Sequence, residues 1–308
     1  MMATVYKSTG SWYTVKDTSG NWHQARIKGV FKIDDITSTN PVAVGDLVDM
    51  EIENDLEHTA TITRIHDRTN YINRQSPRGR HQHHIIAANL DQALLIATLR
   101  EPRTSQGFID RFLVAAEMYH VAAVLVFNKA DLYGKKEQEK FEALRRMYEG
   151  IGYRVLLTSA ASRLGLEALL QQLTARTTLV SGHSGVGKSS LLNLLVPGLQ
   201  LRTQDVSGWS GKGMHTTTFA EMFDLADGGR VIDTPGMREF GLVDVSRREL
   251  SHYFPEMRDR LGGCQFNNCL HINEPGCAIR EAVVNGAIAE DRYVSYRSIL
   301  ESIEERNY

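Results

Sequence analysis

The run Gly182-His183-Ser184-Gly185-Val186-Gly187-Lys188-Ser189 constrains this chain more than any other feature. It has the form GxxxxGK[ST]. It lies between the apolar run TTLV and the apolar-spaced SSLLNLLV, which stops at Pro197-Gly198. A phosphate-binding loop requires this strand–loop–helix context. Its glycines let successive backbone N–H groups converge on phosphate oxygens, and the helix N-terminus adds positive potential. Lys188 is expected to reach the β- and γ-phosphates, and Ser189 to ligate Mg²⁺. Gly182, Ser184, Gly185, Val186, Gly187 and Ser190 complete the expected contact set. His183 is counted in it with no side-chain chemistry assigned.

From residue 92 the chain alternates strand-like and helix-like segments. ALLIAT, VAAVLVF, RVLLT and TTLV read as buried strands, with amphipathic stretches between them. That pattern predicts a parallel sheet covered on both faces. Three further motifs end such strands. Asn128-Lys129-Ala130-Asp131 follows VLVF and has the NKxD form of a guanine reader. The Asp131 carboxylate can accept from guanine N1–H and the exocyclic amine together, a donor pair that adenine lacks. Asn128 is expected to tie the reader to the phosphate loop, and the Lys129 stem to cover the base. Thr158-Ser159-Ala160 fits the supporting loop, with a backbone N–H for guanine O6. Val231-Ile232-Asp233-Thr234-Pro235-Gly236 carries DxxG. There Asp233 is expected to hold Mg²⁺ through water, and the Gly236 N–H to approach the γ-phosphate. Ligands of open α/β sheets bind at these strand ends.

The order of the motifs is unusual. The guanine reader precedes the phosphate loop, which implies a circularly permuted domain. The helix predicted at 164–173 runs almost directly into the TTLV strand and joins what are elsewhere the domain's two ends. DxxG then leads straight into the C-terminal region, so ordering of that switch by γ-phosphate can pass to the last domain.

Between the phosphate loop and DxxG lies RTQDVSGWSGKGMHTTT, where the first switch belongs. One of its threonines should complete the Mg²⁺ shell, and Thr217 is favoured over Thr216 and Thr218. Met237 stands where many GTPases place a water-orienting Gln, and a thioether is a poor hydrogen-bonding group. His215 is the candidate for orienting the water; the alternative is a surface histidine.

Composition limits the remainder. With 35 Lys+Arg against 37 Asp+Glu, the net charge is −2, ordinary for a globular chain of 308 residues. No membrane-length apolar run and no signal-like start are present, so a cytoplasmic protein is expected. Residues 1–65 read as about five short strands, which suit a small barrel of OB or SH3-like type. Lysines and arginines there alternate with Tyr6, Trp12, Tyr13, Trp22 and Phe31. Such a face could stack bases, although at least half of these aromatics are expected in the barrel core. Residues 64–84 hold five Arg and four His. They read as an exposed basic connector or a phosphate-contacting strap. His81, His83 and His84 within it fit solvent or phosphate contact better than metal. All three cysteines fall together as Cys264-x4-Cys269-x-His271-x5-Cys277. That odd count argues against a disulfide framework. With His271 they offer the Cys₃His set of one structural Zn²⁺; reduced, unligated thiols are the alternative.

The early NKAD, GHSGVGKSS, HTTT, DTPGMREF and the Cys/His cluster together resemble the RsgA/YjeQ family, the small-subunit-dependent ribosome biogenesis GTPases. IIAANLDQ and FPEM are also similar. The chain departs at GKGMHTTT, with Lys212 and Met214 where members often read GRGRHTTT. The resemblance implies an N-terminal OB-fold RNA-binding barrel over 1–70, with the basic linker following. It implies a permuted α/β P-loop GTPase domain over 71–242 and a mostly helical zinc-binding domain over 243–308. It also implies GTP hydrolysis to GDP and phosphate, stimulated by the small ribosomal subunit, with rRNA binding and a role in late maturation of that subunit. A monomer is expected. Two other readings stand beside it. One is an rRNA-docking GTP switch whose hydrolysis is incidental; the other is a permuted GTPase acting on the large subunit or another RNA.

Overall fold

The computed structural model describes residues 1–27, 41–54, 56–75, 83–196, 198–201, 220–234 and 245–303. Alternating apolar residues build the N-terminal barrel: β1 (Met2–Ser8), β2 (Tyr13–Asp17), β3 (Trp22–Ile27), β4 (Leu47–Asn54) and β5 (Thr59–Ile65). The pairing order is β1-β2-β3-β5-β4, closed by β4 on β1, with β3 and β5 parallel. This is the five-stranded OB arrangement. Val5, Tyr13, Val15, Ala25, Val48, Met50 and Ile62 fill its interior. Of the aromatics singled out above, Tyr6 and Tyr13 are buried, whereas Trp12 and Trp22 are exposed. Phe31 lies outside the described residues.

The stretch expected to be an exposed connector is largely structured. β6 (Tyr71–Gln75) and β7 (His83–Ala88) form an antiparallel hairpin. Ile72, Ile85, Ala87 and Ala88 are buried. Arg68 is nearly excluded from solvent and pairs at 2.6 Å with the fully buried Asp46. The charge-rich composition concealed a few apolar side chains, and these pack the hairpin between barrel and sheet. His81 lies outside the described residues.

The second unit is a six-stranded sheet in the order β10 (Arg154–Leu157), β9 (Ala122–Phe127), β8 (Gln92–Ala97), β11 (Thr177–Ser181), β13 (Arg230–Asp233) and β12 (Glu221–Asp224). All neighbours are parallel except the β12–β13 hairpin. Helices α1 (Gln106–Met118) and α2 (Lys135–Ile151) cover one face. On the other lie α3 (Leu166–Leu173) and α4 (Lys188–Leu195). The permutation joint is short, because only three residues lie between the end of α3 and the start of β11. Buried Gln92 locks it: its Nε2 donates to the Gln172 carbonyl and to Thr178 Oγ1, and Gln172 and Arg176 donate back to its Oε1.

Barrel and sheet are continuous. β1 bulges between Val5 and Lys7, and beyond the bulge Lys7 pairs with Glu221 of β12, giving eleven strands in one sheet. The β12 edge, otherwise open to strand addition, is thereby covered. Asp224 accepts from the Tyr6 hydroxyl at 2.5 Å and from Lys16 at 2.7 Å across the same seam.

The C-terminal unit comprises α5 (Pro255–Arg258), α6 (Ala278–Val284) and α7 (Glu290–Ser302), with short 3₁₀ turns and loops between. Its core of Phe254, Met257, Ile279, Tyr296, Ile299 and Leu300 also takes in Val114 of α1.

Candidate functional site

Four of the sequence motifs begin at the carboxyl ends of β10, β9, β11 and β13 in one sheet. The phosphate-loop candidate leaves β11 at Ser181 and enters α4 at Lys188. Gly187, in the left-handed region at φ +90°, forms the bend into the helix. A Cβ there would collide with the Asn128 amide, so glycine is required by both conformation and space.

That collision marks where the two motif sets meet. Asn128 Nδ2 donates to the Val186 carbonyl at 2.9 Å. Asn128 Oδ1 accepts from Thr158 Oγ1 at 3.1 Å and from the Ala160 N–H at 3.3 Å. One buried amide therefore joins the reader, its supporting loop and the phosphate loop, of which Asn128 and Val186 are 58 residues apart in the chain. Asp131, exposed beyond it, accepts a short hydrogen bond from Ser159 Oγ, which fixes the orientation of its carboxylate. Lys129 sits in the left-handed region, and its Nζ donates to the Glu101 carbonyl at 2.5 Å.

Lys188 Nζ forms a short ion pair with Asp233 Oδ1 and donates to the Thr234 carbonyl at 3.1 Å. β11 and β13 are adjacent, with Val180 opposite Asp233, which brings Asp233, the first residue of DxxG, to the start of the phosphate loop. Ser189 stands one residue beyond Lys188 in α4, and Ser190 follows it. These hydroxyl and carboxylate groups are oxygen ligands of the kind Mg²⁺ takes. His215, Thr217 and Gly236 lie outside the described residues, as do Lys212, Met214 and Met237.

The Cys/His set also assembles. The Cys264, Cys269 and Cys277 sulfurs and one His271 ring nitrogen all lie within 4.8 Å of one another. His271 Nδ1 is 3.6 Å from Cys264 Sγ and 3.4 Å from Cys277 Sγ. Zinc arms of about 2.0–2.3 Å in a tetrahedron give ligand–ligand edges of roughly 3.3–3.8 Å, so the donors fit that ion in type and spacing. Burial pushes the Cys269 thiol up to about 12 and draws the His271 imidazole down. Thiolates in such surroundings need a cation between them. The Tyr293 and Tyr296 hydroxyls donate to the His271 and Leu270 carbonyls at 2.6 and 2.9 Å and hold the ligand loop on α7.

Three contacts escape a motif-based reading: Thr104 on His183, Glu101 on Lys129, and the buried Asp110–Arg292 pair. Asp110 alone left a trace, as a carboxylate between Ile109 and Phe112 on the apolar face of a helix.

Known proteins match this architecture along the whole chain. A family model described as RsgA GTPase matches residues 65–243, and one described as RsgA N-terminal domain matches 3–60. Proteins named small ribosomal subunit biogenesis GTPase RsgA are similar. The one from Christiangramia forsetii is 48% identical over 100% of this chain and 98% of its own length. That from Cytophaga hutchinsonii is 50% identical over 97% and 98%. Among solved structures, YjeQ from Thermotoga maritima superposes with a TM-score of 0.81 at 34% identity, covering 99% of each chain. YloQ, described as a circularly permuted GTPase, gives 0.76 at 30% identity, covering 100% of this chain and 96% of its own. With its OB barrel, its permuted nucleotide-binding sheet and its C-terminal Cys/His cluster, the chain belongs to the RsgA GTPase family.

Proposed function

We propose that this GTPase acts on the small ribosomal subunit during its late maturation, binding rRNA and being stimulated by the subunit. The Asn128–Val186 hydrogen bond carries the nucleotide part of the reading, because it welds a guanine reader to a phosphate loop. The names of the relatives supply the ribosomal part. In this reading Asn128, Lys129, Ala130 and Asp131 hold guanine, with Ser159 and Ala160 supporting them. The 182–190 loop cradles the phosphates, with Asp233 and Gly236 beside the γ-phosphate. Ser189, Thr217 and Asp233 hold Mg²⁺, which neutralises phosphate charge when bound. Lys188 stabilises charge on the transferred phosphoryl group, and His215 orients the attacking water in place of the absent Gln. The Cys/His cluster holds a structural Zn²⁺, since four protein ligands leave no open position.

The proposed domains are 1–70, 71–242 and 243–308, working as a cytoplasmic monomer. No helix among the described residues is long and apolar enough to cross a membrane. GTP turnover alone and with separated small or large subunits tests the proposal. Strong stimulation by the small subunit only is expected. Equal turnover under all three conditions would count against the ribosomal assignment.

A further inference from the structure

Residues 98–104, which follow β8, belong to none of the motifs, yet they touch both halves of the nucleotide site. On the reader side, the Glu101 carbonyl holds Lys129 Nζ. The Leu99 N–H donates to Tyr133 Oη at 3.2 Å, and that hydroxyl donates to the Asn128 carbonyl at 3.0 Å. On the phosphate side, Thr104 Oγ1 lies 2.7 Å from His183 Nε2.

Thr104 is a rigid support. It is 4% exposed; its N–H donates to the Thr98 carbonyl at 2.7 Å, and its Oγ1 accepts from the Thr98 N–H at 2.9 Å. The His183 ring is seated edge-on against Phe108, with centroids 5.7 Å apart. Its Nδ1 lies 3.1 Å from the Ser184 carbonyl oxygen. A carbonyl only accepts, so Nδ1 carries the ring proton and Nε2 accepts a hydrogen bond from the Thr104 hydroxyl. A continuous chain results, from the Thr98 amide through Thr104 and His183 to the Ser184 carbonyl.

The consequence lies in the next peptide. A trans peptide is planar, and its C=O and N–H point in opposite directions. Fixing the Ser184 carbonyl on the imidazole therefore fixes the direction of the Gly185 N–H. We propose that Thr104 and His183 are positioning residues, which hold the Ser184–Gly185 peptide oriented for phosphate before nucleotide arrives. The inference rests on the reading of 182–190 as the phosphate cradle. Preorganised donors need no reorganisation when charge arrives, so this device acts first on nucleotide affinity.

The test uses the full-length protein, with fluorescent mant-GDP titration and steady-state GTP turnover. His183→Ala and His183→Phe should each weaken mant-GDP binding about tenfold, the loss of one well-placed hydrogen bond. The KM for GTP should rise by a similar factor, while kcat falls less than threefold. Phe keeps the ring packing, so its failure isolates the hydrogen bonds. Thr104→Val should match His183→Ala, and the double variant should be no worse than either single one within twofold. Thr104→Ser keeps the hydroxyl and should bind within twofold of the unaltered protein. Losses that multiply in the double variant, or a His183→Ala protein that binds normally, overturn the proposal. If Thr104→Val does not fold, the two His183 variants and Thr104→Ser decide the matter. Lys188→Ala is the separate control: normal mant-GDP binding there would refute the cradle itself rather than this support.

Discussion

Arg292 Nη1 lies 2.7 Å from Asp110 Oδ1, with both side chains fully excluded from solvent. The pair locks the last helix of the chain to the first helix of the GTPase unit. Arg292 Nε also pairs with Glu256 Oε1 at 2.7 Å, and the Tyr148 hydroxyl donates to Asp110 at 2.8 Å. Burial works against the guanidinium charge, but Asp110 and Glu256 more than offset it. One cation thus serves two carboxylates from different units, over the face of Phe254 at 4.6 Å.

Arg292→Met should therefore destabilise the seam. It leaves two carboxylates buried without a counter-charge, a loss of about 3–5 kcal/mol for breaking a buried pair. Thermal unfolding should show the C-terminal unit melting earlier, and limited proteolysis should release it. Adding Asp110→Asn should recover part of the loss. An Arg292→Met protein that melts with the unaltered one would refute this account of the seam.

Asp131→Asn should change the base that is read. In the proposed reading the carboxylate accepts from two guanine N–H groups, whereas an amide would offer a donor where guanine also donates. At about 1.5–3 kcal/mol per hydrogen bond to a charged group, GTP affinity should fall at least a hundredfold. Xanthine carries a carbonyl in place of the exocyclic amine, so XTP should bind the variant better than GTP. Competition between the two nucleotides for a mant-labelled probe measures this. A variant with undiminished GTP preference would remove Asp131 from the reader.

Cys277→Ser should lose bound zinc. Elemental analysis of the purified chain should find one Zn²⁺ per molecule, and the variant should hold much less. A strong chelator should lower the melting temperature of the unaltered protein and leave the variant nearly unmoved. A chain that contains no zinc and ignores the chelator would return the cluster to unligated thiols.

Glu274 should make the ligand loop acid-sensitive. Burial alone raises its carboxyl, but the N–H groups of Leu270, Ile272 and Asn273, at 2.7–3.0 Å, outweigh that and bring it down to about 2. A folded-state value below the ordinary 4.5 means that its stabilisation is present above that pH. It is lost as the pH falls through the folded value. Glu274→Gln should lower stability by roughly 1 kcal/mol at pH 7. The gap between the two proteins should close between pH 4.5 and about 2. A gap unchanged over that window would show that the charge contributes nothing.

Much of the site was legible because its chemistry needs particular residue types in contiguous runs. Gly187 must be glycine for its φ and for the approach of Asn128, so the loop announces itself locally. Asn128 and Asp131 lie three residues apart because a strand end followed by a tight turn presents them together. The hairpin β6–β7 was not legible, because Ile72 stands between Tyr71 and Asn73 in a polar stretch and the short run Ile85-Ile86-Ala87-Ala88 carries no sign of its partner strand, so only tertiary burial identifies the pair. Thr104 and His183 gave no signal either. A hydroxyl and an imidazole 79 residues apart carry no pattern until the fold brings them to 2.7 Å.

The sequence by itself determined the motif order, and with it the permuted sheet, and it marked the candidate guanine reader, the candidate phosphate loop and the four candidate metal ligands. These depend on backbone conformation and donor chemistry, which are properties of short segments. Tertiary structure alone decided what joins the units, β1 laid on the β12 edge and the Asp110–Arg292 lock, and, within the central unit, the contact of Thr104 with His183. Each depends on burial, which withdraws water as the competing partner and lets residues far apart in the chain find each other.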